Sequence, residues 1–175
     1  VWARAFRGVL ISRRGDVATG LPLLRKALEL AGEARFLPRF LLPFGELAVC
    51  LGEAGEVSQG LATADEALAR CEARDEGWYV AELLRIKGEL LLRPGARRST
   101  GGAEQVFDKA FEVARSQGAL FWELRTAISV ARMRMSEGHL ADARDVLASV
   151  YGKFTEGFET ADLSDARAMM VKLGL

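Results

Sequence analysis

The sequence predicts an all-α, right-handed solenoid of four helix pairs closed by a C-terminal capping helix, with no sheet. Three observations predict it. Apolar residues recur at helical spacing on both sides of a short glycine turn, as in Phe44, Leu47, Ala48 and Leu51, then Gly55, then Gly60, Ala64 and Ala67. Small residues fall where two helices would cross closely. The pattern also repeats. Gly8 to Ala48 and Ala48 to Gly88 are 40 residues each, and Gly88 to Ala131 is 43. On the second helices Gly20 to Gly60 is 40, Gly60 to Ala103 is 43, and Ala103 to Ala143 is 40. One three-residue insertion in the 93–102 loop accounts for both longer intervals. The repeats are read as about 1–36, 37–76, 77–118 and 119–153, with a capping segment at 154–175, all one domain.

The first helix of the first unit runs from Val1 to about Arg14, and Gly15-Asp16 is its turn. Pro22 is tolerated only in a first helical turn, so the second helix is expected to begin near Thr19 as N-cap and run to Ala31, with Gly32 as its stop. Pro38 is placed at the start of the next unit, whose helices span about 39–54 and 57–74. The third unit starts near Trp78, stops before Pro94, and resumes at Ala103 after the longest loop. The fourth covers about 121–136 and 140–151. The last helix spans about 161–173, with Thr160 as N-cap and Asp162 complementing the helix dipole. Phe154, Phe158, Leu163 and Met170 are read as a lid on the last repeat, with Gly152 and Gly157 where the chain turns back.

Composition limits what the chain does. Lys+Arg and Asp+Glu are 24 each, which gives no electrostatic case for binding nucleic acid or a membrane directly. Residues 1–40 carry a net charge of +5 and residues 137–175 carry −3. Cys50 and Cys71 lie outside any C-x-x-C and read as reduced thiols, in keeping with a cytoplasmic setting. The opening at Val1, inside a helical pattern, reads as a piece of a longer protein. Trp2, Phe6, Val9 and Leu10 are expected to form an apolar patch, with self-association through residues 1–14 as its consequence.

Several stretches carry a family resemblance. They are Arg13-Arg14-Gly15-Asp16 with Gly20-Leu21-Pro22-Leu23-Leu24, the run 81–90 (AELLRIKGEL), Trp122-Glu123-Leu124-Arg125, and the run 154–163 (FTEGFETADL). With the 40-residue helix-turn-helix unit, the chain resembles the C-terminal tetratricopeptide-repeat region of large bacterial signalling-ATPase regulators, of the winged-helix transcriptional or nucleotide-cyclase type. That resemblance implies a non-enzymatic interaction or sensing module that binds a protein or peptide segment, or adjacent domains of the same polypeptide. It implies no catalytic residue, cofactor or metal. It also implies that the first helices of the pairs line the concave side. Outward positions on them are Phe6, Val9, Arg13, Glu46, Val49, Glu53, Glu82, Arg85, Glu89, Arg125 and Arg132. Arg134 stands where an apolar or aromatic residue is expected, so the fourth groove segment is expected to differ.

The alternatives are a free-standing peptide-binding adaptor and an all-α enzyme. The enzyme reading finds little support. No Walker loop and no G-x-G-x-x-G after a strand occur, and His139 is the only histidine. Asp162 with Asp165, and Glu156 with Glu159, sit at a helix start and in a loop, where capping explains them better than acid–base work. Arg97-Arg98-Ser99-Thr100 reads as an exposed loop before it reads as a phosphate cradle or phosphorylation site. Trp78-Tyr79 and Phe121-Trp122 read as packing anchors at repeat junctions before they read as a stacking platform.

Overall fold

The computed structural model describes residues 1–32, 40–96 and 100–174. Among them are α1 (Trp2–Arg13), α2 (Val17–Ala31), α3 (Leu41–Glu53), α4 (Val57–Arg74), α5 (Val80–Leu92), α6 (Thr100–Ser116), α7 (Leu120–Ser136), α8 (Leu140–Tyr151) and α9 (Ala161–Lys172), with no strand. The fold is an all-α helical repeat. Consecutive helices pack as the pairs α1–α2, α3–α4, α5–α6 and α7–α8. Each first helix also packs on the first helix of the next pair, whereas the second helices make at most marginal contact with one another. The array therefore curves with α1, α3, α5, α7 and α9 on its inner side.

The small residues work as the spacing requires. A Cβ at Gly60 would stand 2.9 Å from the Ala48 carbonyl oxygen, and one at Gly20 would stand 3.0 Å from that of Gly8. These are the paired crossing points of the first two units. The turns are equivalent too. Gly15, Gly55, Gly95 and Gly138 all adopt positive φ (91°, 83°, 91° and 84°). At three of them the chain reverses through the same bond, such as Asp16 N to Ile11 O, Glu56 N to Leu51 O and His139 N to Arg134 O. Gly95 sits 40 residues after Gly55 and 43 before Gly138, so the insertion lies after Gly95 and before Ala103.

The structure corrects several expectations. The α2 helix starts at Val17, and Asp16, not Thr19, caps it by accepting the Thr19 amide at 3.0 Å. Pro22 consequently lies inside the helix. It is exposed, as is Ala18, whose carbonyl has lost its amide partner and faces water. Thr160 occupies the N-cap position of α9, but its hydroxyl donates to the Gly157 carbonyl at 2.8 Å and caps nothing. Gly152 is helical (φ −65°), so only Gly157 supplies a positive-φ turn before the lid. The long loop shortens because α6 begins at Thr100. The readings made on Pro38 and on Arg97-Arg98-Ser99 lie outside the described residues.

The core runs along the array as linked clusters. Phe40, Leu41, Phe44, Tyr79 and Leu83 join the first three units. Leu124, Ile128, Leu147, Leu163, Ala166, Met169 and Leu173 join the fourth pair to α9. The lid is thus real. Phe154 and Met170 pack at its edge, while Phe158 stays largely exposed beside Tyr151. Cys50 and Cys71 are buried free thiols, and burial pushes both pKa values up. The aromatic pairs divide. Tyr79 and Trp122 are packing anchors, their rings edge-to-face at 5.7 Å, with the Trp122 indole donating to the Trp78 carbonyl. Trp78 and Phe121 remain exposed on the rim.

Candidate functional site

The inner face carries a groove of about 610 Å³ walled by successive first helices. One helical face of each supplies a row of side chains, since residues three and four apart line up. From α1 comes Arg13, from α3 Glu46, Val49 and Glu53, and from α5 Glu82, Arg85, Ile86 and Glu89. Arg125 on α7 and Ala161 and Asp165 on α9 close the far end.

Eight of the eleven outward positions expected from the sequence line this groove: Arg13, Glu46, Val49, Glu53, Glu82, Arg85, Glu89 and Arg125. Three do not. Val9 is 3% exposed and packs in the core with Leu21, Leu24, Cys50 and Leu51, which also removes it from the apolar patch expected at residues 1–14. Phe6 is half-buried against Trp2. Arg132 stands beside the groove, paired with Asp165 at 3.4 Å. Arg134 is no part of the groove. It lies at the junction with the third pair, bound to Glu104 (2.6 Å) and Glu137 (3.2 Å).

The floor is a buried ion network. Glu82 is 2% exposed and accepts two arginine forks. Arg85 donates through Nε and Nη2, both at 2.8 Å, and Arg125 through Nε at 3.1 Å and Nη2 at 2.8 Å. Arg85 Nη1 also reaches Glu89 at 2.7 Å, and the Ser129 hydroxyl donates to that same carboxylate at 2.7 Å. Arg125 Nη1 continues to Asp162 on α9 at 3.1 Å. At the other end Arg13 Nε donates to Glu46 at 2.9 Å. A single chain of ion pairs thus ties α5, α7 and α9 across the groove.

Burial alone would raise the Glu82 and Glu89 carboxyls, but the charges and hydrogen bonds of Arg85, joined by Arg125 on Glu82 and Ser129 on Glu89, outweigh it and hold both below the ordinary range. Burial would likewise lower Arg85, and its two carboxylates raise it instead. Burial pushes the Tyr79 phenol up, with Glu82 adding to the effect. The groove therefore presents fixed charges and hydrogen-bonding groups.

Sequence reasoning missed Tyr79, Ser129, Asp162 and Asp165 as groove residues. The signal for the two aspartates was present. The α9 helix begins 41 residues after α7, close to the repeat interval, and packs on α7 as α7 packs on α5. It stands as the first helix of a fifth unit, so its outward face belongs to the groove.

No family model matches the chain. Among curated proteins it is similar to an uncharacterized protein of Rhizobium meliloti (strain 1021), 34% identical over 118 residues. The match takes in 67% of this chain and 11% of that relative, so the chain spans a small part of the relative's length.

Proposed function

We propose that this chain is a non-enzymatic interaction or sensing module, working in the cytoplasm, that holds a protein or peptide segment in its inner groove. The groove carries this reading. Both charge signs, two apolar side chains (Val49 and Ile86) and several hydrogen-bonding groups stand on one concave surface built from rigid helices. A polypeptide segment offers the same mixture in return. The most buried groove carboxyls are held ionised by arginines, which suits recognition and leaves no acid–base pair poised near neutrality.

The setting we propose is the C-terminal arm of a bacterial signalling-ATPase regulator, on the strength of the stretches at 13–24, 81–90, 122–125 and 154–163. In the Rhizobium relative the matched stretch is also a small part of a much longer chain. A free-standing adaptor is the second reading, and it uses the same groove.

Peptide-library selection on the purified chain tests the groove. Selected peptides are expected to bind Glu53→Lys at least tenfold more weakly than the parent, and to bind Asp145→Asn, on the outer helix α8, as they bind the parent. Equal binding to Glu53→Lys would overturn the groove as the site. Nucleotide hydrolysis by the purified chain would overturn the non-enzymatic reading.

A further inference from the structure

The face of α1 turned away from α3 follows the rule of a repeat junction. In the other three units the residue equivalent to Leu10 is buried on the second helix of the preceding unit. Cys50 (0% exposed) packs with Leu21 and Leu24 of α2, Leu90 (1%) with Ala64 of α4, and Met133 (3%) with Ala103 and Phe107 of α6. Leu10 is 57% exposed. Charge follows the same rule. Lys87, the equivalent of Arg7, pairs with Asp65 of α4 at 2.6 Å, and Arg134 on α7 pairs with Glu104 of α6 at 2.6 Å. Arg4 and Arg7 stand with Lys26 around an open cavity of about 410 Å³ on this face.

We infer that this face docks a further helix pair of the same kind, whose second helix covers Leu10 with small apolar side chains and meets Arg7 with a carboxylate. A second copy of the chain does not supply that helix. Its far end is α9, a first helix with no partner beside it among the described residues, whereas each covering contact above comes from the second helix of a pair.

The repeat spacing makes the test direct. Residues 41–80 fused ahead of Val1 keep the 40-residue interval and place a copy of α4, with its Asp65, against α1. Leu10→Asp is expected to leave the thermal midpoint of the unfused chain unchanged and to lower that of the fusion by several degrees. Amide exchange in α1 is expected to slow at least tenfold on fusion. A second fusion, of residues 81–123, presents Glu104 of α6 to the same face and is expected to behave alike, which keeps the test sound if the first misfolds. Equal effects of Leu10→Asp in fused and unfused chains, with unchanged α1 exchange, would overturn the inference. So would dimerisation of the unfused chain that Leu10→Asp abolishes, because a second copy would then be the occupant.

Discussion

Glu82 shows how one residue holds the groove together. Its carboxylate takes two forks, from Arg85 on its own helix and from Arg125 on α7. Replacing it with glutamine leaves the Arg85 guanidinium, 8% exposed, with its bidentate partner gone. Breaking a buried pair from one side costs about 3–5 kcal/mol, and Glu82→Gln is expected to lose that much in urea titration at neutral pH. The same chemistry sets a pH dependence. Glu82 and Glu89 are held below their unfolded values, so their contribution is complete above about pH 5 and fades as pH falls through the lower folded-state values. The unfolding midpoint of Glu82→Gln is therefore expected to fall less between pH 5 and pH 3 than that of the parent; an equal fall would count against the assignment. Asp75 offers a contrary case. It is the one described non-glycine residue at positive φ (54°), ending α4 where α6 ends on Gly118 (φ 62°). The left-handed conformation costs a side-chain residue about 1–2 kcal/mol, and glycine gives back about 0.4–1 through its freer unfolded state. Asp75→Gly is thus expected to stabilise by about 0.5–1 kcal/mol in the same titration.

At the scale of elements, a helix pair is fixed by how near its backbones come. A Cβ at Gly20 would meet the Ser12 hydroxyl at 2.0 Å, and then the Gly8 carbonyl and the Ser12 amide at 3.0 Å. The hydroxyl is removable and the backbone is not. Gly20→Ala is expected to cost about 1–3 kcal/mol through overpacking, with less than about 1 kcal/mol returned by better helix propensity. Ser12→Ala should recover only part of the loss, and full recovery would mean that the backbones do not set the spacing. The glycine and alanine spacings made these crossings legible in the sequence, because small residues at a fixed interval have few other causes. The start of α2 was not legible in the same way, since Pro22 argued for a late start and the Asp16 cap outweighed it. The groove was legible as a set of faces but not as a network. Periodicity says which positions share a face, whereas the joining of Glu82 to Arg125 depends on side chains 43 residues apart. The role of α9 stayed hidden for another reason. Its apolar side reads equally well as a lid, which it is, and only its packing on α7 shows that its other side faces the groove. Truncation after Tyr151 removes Leu163, Ala166, Met169 and Leu173 from the core. Core-sized side chains are worth about 2–5 kcal/mol each when removed, so a loss of several kcal/mol and aggregation of the bare fourth pair are expected. Unchanged melting would reduce α9 to a docked tail.

Across the whole molecule, stability in a repeat array is close to a sum of unit terms and nearest-neighbour interfaces. The two ends differ in this respect. At the far end α9 covers the fourth pair, and Arg125 to Asp162 adds an ion pair across that junction. At the near end α1 buries mainly small residues, Ala5, Gly8, Val9 and Ser12, and leaves Val1, Trp2 and Leu10 largely in water. By contrast α5 buries Leu83, Ile86 and Leu90 and sits between two neighbours. Opening α1 and α2 releases one interface and little apolar area, whereas opening α5 breaks two interfaces and the Glu82 network with them. Native-state hydrogen exchange is expected to follow that order. Amides of α1 and α2 should exchange through the lowest-energy opening, those of α3, α4 and α9 through intermediate ones, and those of α5 and α7 only on global unfolding. Uniform protection from α1 to α9 would refute the nearest-neighbour account, because it would require the uncovered end to unfold only with everything else.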